Sequence, residues 1–181
     1  MSSIVFERIK KIADLFSING NVIDIQRFGS GHINDTFKIF IQDEAGDSYL
    51  IQRINHHIFA DVKGLMNNID VVTRHLQSIF QEQGLDCKKH TLTIIPTKKG
   101  ELYCQDEEGS YWRVFILLEG TKSYDIVETT KQSYSGGQAF GKFQKQLATL
   151  DASKLVEILP NFHNIDFRMH NLREAITANK A

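Results

Sequence analysis

The chain of 181 residues is long enough for one substantial core or two small ones, and 41% of its residues are hydrophobic while 24% are charged. This composition is typical of a folded globular protein and excludes a disordered chain. The formal net charge of -1 provides no basic field for nucleic acid. No apolar run reaches the roughly 18–20 residues of a membrane span, and the start lacks a secretory signal. Cys87 and Cys104 stand apart without a metal-binding motif, which favours a reduced, cytoplasmic compartment. From the charge and the lack of a long apolar run, we expect neither nucleic acid nor a membrane as partner.

The first third of the sequence predicts one helix and then three strands. Apolar residues recur at helical spacing across residues 4–18 and stop at an Asn-Gly pair. Residues 22–28, 36–42 and 48–54 alternate, at least in part, between apolar and polar side chains, which is typical of β-strands. Because residues 43–47 are rich in turn formers, we expect the second and third strands to form an antiparallel hairpin.

The middle of the sequence predicts one long helix and three further strands. Apolar side chains in residues 62–80 follow the i, i+3, i+4, i+7 spacing of an amphipathic helix. Residues 92–96, 101–104 and 111–118 are strand-like and are joined by short polar turns. The last of these strands is the most apolar, which indicates a central position in a sheet.

After Leu118 the strand pattern gives way to helices. We expect helices in residues 129–150, 153–159 and 167–177. The predicted fold class is therefore α+β. It consists of an N-terminal unit over residues 1–118, whose antiparallel sheet carries the long helix on one face, and a helical unit over residues 119–181.

A glycine-rich turn between the first two predicted strands is the first candidate site. It contains Gly29, Ser30, Gly31, His32 and Asn34. Glycines let backbone N–H groups approach phosphate oxygens without a clash from Cβ. The third glycine of the G-x-G-x-x-G pattern is absent, so an ordinary hairpin turn is the alternative interpretation.

Arg53 is the second candidate, because it lies inside an apolar strand. Such a cation must either reach water at the rim of the sheet or pair with an anion. In kinases the third strand supplies a basic residue to the nucleotide phosphates. The alternative is an arginine on an edge strand whose side chain extends into solvent. The residue alone does not decide between a phosphate-binding role and this alternative.

The end of the last strand is the third candidate. Residues 112–118 are followed by Glu119 and Gly120, just before the helical part of the chain. This arrangement suits a hinge whose backbone hydrogen-bonds adenine. A buried strand that ends in a turn is an equally good interpretation of the same pattern.

Five segments together carry a resemblance to a known family. They are residues 30–36 (SGHINDT), 50–55 (LIQRIN), 112–115 (WRVF), 139–144 (AFGKFQ) and 159–164 (LPNFHN). In this order they resemble the aminoglycoside phosphotransferase superfamily, and within it the bacterial N-acetylhexosamine 1-kinase-like group. The resemblance covers nearly the whole chain. It implies a protein-kinase-like small lobe, followed by the first helices of the large lobe.

The same resemblance implies cosubstrates and site residues. ATP and Mg²⁺ would be required, and the phosphoryl acceptor would be a hydroxyl of an N-acetylhexosamine or a similar sugar. The glycine-rich turn would cover the phosphates, and Arg53 would be the strand-three cation. The helix after strand three has no glutamate in its early turns, so Asp70 or Asn67 would have to replace the glutamate that orients this cation in the family. Residues 116–120 would be the hinge. The implied nucleotide-binding residues are Gly29, Ser30, Gly31, His32, Asn34, Arg53, Asp70, Ile116, Leu118 and Glu119.

The catalytic loop of the family is missing from this sequence. The family's base is an aspartate in a His-Gly-Asp loop, yet none of the seven histidines begins a His-x-Asp pattern. We therefore expect a truncated enzyme that has no catalytic residue and no metal ligand and is inactive on its own. The alternative is a non-catalytic, kinase-like module for nucleotide binding or for interaction with another molecule.

Overall fold

The computed structural model describes residues 3–29, 31–42, 48–122 and 124–179. These residues form an α+β fold with six strands and five α-helices, and every strand pairing is antiparallel. In chain order the elements are α1 (Ser3–Ala13), β1 (Val22–Arg27), β2 (Asp35–Ile41), β3 (Tyr49–Ile54), α2 (Val62–Glu82), α3 (Cys87–His90), β4 (Ile94–Ile95), β5 (Cys104–Gln105), β6 (Tyr111–Ile116), α4 (Thr130–Leu147) and α5 (Ile165–Thr177).

The strands lie in the order β1-β2-β3-β6-β4, and β5 also pairs with β6. Along the chain, the long helix α2 and the short helix α3 connect β3 to β4. In the sheet, β6 lies between these two strands. The register places Ile51 of β3 opposite Phe37 on one side and Val114 on the other. The antiparallel sheet predicted for residues 22–118, with one long helix on it, is confirmed.

The larger core lies between α1 and one face of the sheet, which we call the α1 face. Ile9 and Phe16 pack there against Ile39, Tyr49 and Ile51, and all five side chains are almost fully buried. Burial of each such side chain contributes about 1.5–3 kcal/mol. Helix α1 therefore belongs to the sheet unit.

The smaller core lies between α2 and the opposite face, which we call the α2 face. Ile54 of β3 packs against Val62 and Met66 of the helix. Asp61 caps the helix, because its side chain accepts a hydrogen bond of 2.8 Å from the N–H of Gly64. The alternation of β3 thus directs Ile51 to α1 and Ile54 to α2.

Two predicted helices differ from the structure. The first ends at Ala13 rather than at residue 18, because the chain turns there and Phe16 forms an antiparallel bridge with Thr97. The helix expected over residues 153–159 is wrong, since only a 3-10 turn covers Ala152–Lys154. Beyond that turn, the N–H and C=O groups of Val156 are bound by the side chain of Asn68 instead of by helical partners.

The helices after β6 form without a core of their own. No described residue of α4 or α5 is buried. Thr129 and Gln132 form a reciprocal capping box at the start of α4, and Asn164 caps α5. None of the helices described is both long and apolar enough to cross a lipid bilayer.

Candidate functional site

The predicted phosphate loop is the turn between β1 and β2. Gly29 has a φ angle of +76°, a left-handed conformation that glycine adopts without strain. A Cβ atom on Gly29 or Gly31 would meet no described atom within 4 Å, and His32 is exposed. Ser30 lies outside the described residues. The loop therefore presents glycine backbone to open space, as a phosphate-covering loop requires.

The end of this loop is fastened to the end of β3. The side-chain oxygen of Asn34 accepts a hydrogen bond of 2.9 Å from the N–H of Asn55. At the base of the turn, the N–H of Phe28 donates to the carbonyl of Thr36 at 2.8 Å. Asn34 thus holds the loop against its neighbouring strand, and contact between Asn34 and a nucleotide stays a prediction.

Arg53 lies at the end of β3 and forms an ion pair with Asp35. Its Nε donates to Asp35 Oδ2 at 2.9 Å, and Arg27 binds the other carboxylate oxygen at 3.0 Å. Asp70, one of the residues that the resemblance offers as a partner, does not pair with Arg53. Asp70 accepts from Arg74, four residues further along α2, and α2 packs on the face opposite to Arg53. The acid that holds Arg53 is Asp35.

A recess of about 460 Å³ opens beside Arg53. Arg53 thus lies next to the loop and at a concave surface. The rest of its strand face does not belong to this recess, because α1 buries Tyr49 and Ile51 on that face. The residues that line the recess are Ile33, Asp35, Arg53, Ile54, Asn55, His56, His57, Glu108 and Ser110.

The α2 face carries a row of polar side chains across three strands. Thr36, Gln52 and Arg113 are register partners on β2, β3 and β6. Gln52 Nε2 donates to Thr36 Oγ1 at 2.8 Å. Gln52 Oε1 accepts from Arg113 Nε at 2.9 Å and from Nη2 at 2.7 Å. The row extends to α2, because Arg113 Nη1 lies 3.6 Å from the sulfur of Met66.

Arg113 is a buried cation that forms no ion pair with a described carboxylate. Its residue surface is only 8% exposed, and burial lowers its pKa to about 10, so it remains protonated at neutral pH. The guanidinium lies 5.1 Å from the ring of Phe115. Such a charge is stabilised only by an amide, a thioether and an aromatic ring. Sequence reasoning missed its importance, although one arginine in the most apolar strand was a visible signal.

The predicted hinge begins where β6 leaves the sheet. Ile116 contributes its side chain to the core under α1, and its N–H donates to the Thr93 carbonyl at 2.9 Å. The N–H of Leu117 donates to the carbonyl of Ser48 at 2.7 Å. Leu118 is the first residue after these sheet hydrogen bonds, and the residue is half-buried. Its carbonyl accepts a hydrogen bond of 2.9 Å from Thr121 Oγ1, whereas its N–H has no partner among the described residues.

Glu119 ties this hinge to β2 and β3. Its carboxylate accepts a hydrogen bond of 2.6 Å from Ser48 Oγ and one of 3.3 Å from Lys38 Nζ. These two hydrogen bonds lower the pKa of Glu119. The charge of Lys38 is therefore compensated, which leaves Arg113 as the uncompensated cation of the α2 face among the residues described.

No group of three or more His, Cys, Asp or Glu side chains within the described ranges is arranged to hold a metal ion. His56 and His57, which are adjacent in sequence, stack on each other with ring centroids 4.4 Å apart. The described site offers a glycine-lined loop and the N–H of Leu118. Arg53 is already paired with Asp35, so the cation that could take an anionic ligand is Arg113, which has no described carboxylate partner.

A comparison with models of known protein families finds no match for this chain. The resemblance of the five sequence segments therefore remains an expectation. Function has to be inferred from the topology and the site geometry.

Proposed function

We propose that this chain is the nucleotide-binding part of an ATP-dependent small-molecule kinase. The observation that carries the proposal is the topology. A long helix follows the third strand, packs on one face of an antiparallel sheet, and leads to strands that complete the order β1-β2-β3-β6-β4. The small lobe of a protein-kinase-like fold is likewise an antiparallel sheet with one long helix. The position of the glycine loop before β2 and of the hinge after β6 fits the same scheme.

In this proposal ATP binds with its phosphates against the loop and its adenine against the hinge. Backbone N–H groups at Gly29 and Gly31 are free of Cβ obstruction and can approach phosphate oxygens. Adenine would accept a hydrogen bond from the N–H of Leu118, since the N–H groups of Ile116 and Leu117 and the carbonyl of Leu118 are already engaged. ATP supplies the transferable phosphoryl group, and the role of this chain is to orient it.

The acceptor is proposed to be a sugar hydroxyl, as in the N-acetylhexosamine 1-kinase-like proteins that the sequence resembles. Phosphoryl transfer depends on positioning, on charge stabilisation and on a residue that accepts the hydroxyl proton. The sequence has no His-x-Asp pattern to supply that residue. We therefore propose that this chain binds nucleotide without transferring phosphate, and we assign it no magnesium ligand.

A non-catalytic kinase-like module is the second candidate. The absence of the His-x-Asp pattern from all seven histidines favours it. The two candidates differ in whether the native reading frame continues into a His-x-Asp-x-x-x-x-Asn segment. Finding that segment would support the kinase, and a stop codon at that point would support the module.

A titration followed by backbone amide NMR tests nucleotide binding directly. We expect ATP and ADP to shift the amide signals of residues 29–34 and 117–119, with a dissociation constant on the order of millimolar, about -4 kcal/mol, because the proposed contacts come only from the loop and the hinge. CTP at the same concentrations is the control for simple anion binding. If the signals of both segments stay unchanged at about 10 mM nucleotide, roughly ten times the expected dissociation constant, the proposal is contradicted.

A further inference from the structure

We propose that Arg113, rather than Arg53, is the cation that binds the nucleotide phosphates, with Gln52 holding its guanidinium in place. This inference rests on the proposed function and assigns a phosphate-binding residue to it. It moves the phosphate site to the α2 face of the sheet.

The two arginines differ in charge compensation. The guanidinium of Arg53 is half-exposed and already shares the carboxylate of Asp35 with Arg27. Arg113 is buried, and its direct partners are the neutral side chains of Gln52 and Met66. A desolvated cation with neutral partners gains far more from an incoming anion than an exposed cation that is already paired.

The hydrogen-bonding capacity of Arg113 is also incompletely used. A guanidinium has five N–H groups in a planar fork. Three of them are directed to Gln52 Oε1 or to the sulfur of Met66, and the sulfur contact is long at 3.6 Å. Two N–H groups therefore have no acceptor among the described residues. A phosphate group offers acceptor oxygens at the spacing that this fork binds best.

An anion has a route to this guanidinium along the polar row. Thr36 and Gln52 are only half-buried, so α2 leaves this part of its sheet face uncovered. Gln52 is neutral, and Lys38 further along β2 is engaged by Glu119. The polar row thus leads from the open part of the α2 face to Arg113, the cation without a carboxylate partner. The ligand that matches this arrangement is the polyphosphate of a nucleoside triphosphate.

The test places a carboxylate where Gln52 now stands. In Gln52→Glu the new carboxylate takes the position of the Oε1 acceptor and compensates Arg113 internally. We expect affinity for inorganic tripolyphosphate and for ATP, measured by calorimetry, to fall roughly ten- to hundredfold. Gln81→Glu, the same substitution at an exposed position of α2, should bind both probes like the wild type. Arg113→Lys should bind with intermediate affinity, since it keeps the charge and loses the fork.

Circular dichroism and thermal unfolding first establish that each variant folds, and Arg113→Lys provides the comparison if Gln52→Glu does not. ATP binding that is unchanged in the folded variants overturns the assignment of Arg113 and leaves the proposed function standing. If tripolyphosphate binding depends on Arg113 and ATP binds no more tightly than tripolyphosphate, the anion site stands and the kinase proposal is overturned. Binding of neither probe to the wild type overturns both.

Discussion

The part of the chain before residue 118 and the part after it are stabilised in different ways. Every buried hydrophobic side chain among the described residues lies at or before Ile116. The helices α4 and α5 instead expose large apolar side chains, among them Phe140 at 74% and Ile176 at 69%. The first part has two cores on the two faces of one sheet, whereas the described residues of the second part form helices without a core.

This difference shows that capping residues close in sequence are enough to start a helix, whereas its burial needs contacts with residues elsewhere in the chain. The capping box of Thr129 and Gln132 begins α4, and Asn164 begins α5. Hydrogen bonds link this part to the sheet unit: Asn68 of α2 binds the carbonyl of Val156, His75 of α2 binds the carbonyl of Gln146, and Glu119 accepts from Ser48. Since most helix stability comes from tertiary packing, we expect α4 and α5 to open far more readily than the sheet.

The largest expected effect comes from one substitution made in each region. Ile39→Ala removes a side chain with 0% exposure from the core under α1. It should lower the free energy of unfolding by about 2–5 kcal/mol. Ile176→Ala, the matched change on exposed α5, should alter it by less than about 0.5 kcal/mol. Urea denaturation followed by tryptophan fluorescence measures both, and equal losses would show that the two regions share one core.

A smaller effect is expected from a polar contact inside the sheet unit. The carboxylate of Asp106 is 9% exposed and accepts hydrogen bonds from Arg8 at 2.7 Å, from Trp112 Nε1 at 2.8 Å and from the N–H of Ser110 at 2.9 Å. Asp106→Ala leaves the buried indole N–H without an acceptor, so we expect a loss of about 1–3 kcal/mol in the same urea experiment. The exposed Asp166→Ala on α5 is the control and should change little.

Asp106 also gives the sheet unit a dependence on acid. Burial raises the pKa of this carboxyl, but the hydrogen bonds from Arg8, Trp112 and Ser110 outweigh burial and hold the pKa below its ordinary value of 3.8. Its stabilising contribution is therefore complete above pH 3.8 and is lost as the pH falls further. Wild type should lose more stability than Asp106→Asn over that range. Parallel acid titrations of the two proteins would contradict the assignment.

The smallest expected effect is at the junction of the two regions. Asn68 donates to the carbonyl of Val156 at 2.8 Å and accepts from its N–H at 3.0 Å. Asn68→Ala should raise amide exchange in residues 150–179 by an amount equivalent to about 0.5–1.5 kcal/mol and leave the amides of β3 and β6 unchanged. Asn171→Ala, an exposed asparagine on α5, is the control. Faster exchange throughout the sheet would show that the two regions unfold together.

Much of the fold was predictable because it follows from local pattern. The alternation in residues 36–42 and 48–54 and the helical spacing of residues 62–80 place β2, β3 and α2 to within a few residues. The helix expected over residues 153–159 failed for a reason that no local pattern contains. Asn68, far away in sequence, supplies the hydrogen bonds that would otherwise come from a further helical turn.

The sequence by itself determined the order of the six strands and of the helices α1, α2, α4 and α5. It also determined the position of the glycine loop and the presence of an arginine in each of two strands. Only the tertiary structure decided which face of the sheet α1 and α2 cover, that Asp35 compensates Arg53, and that Arg113 meets Gln52 and Met66 instead of an acid. Side-chain alternation is a property of a few consecutive residues. Burial and charge compensation depend on groups distant in sequence, such as Gln52 and Arg113, which meet only once the strands have paired.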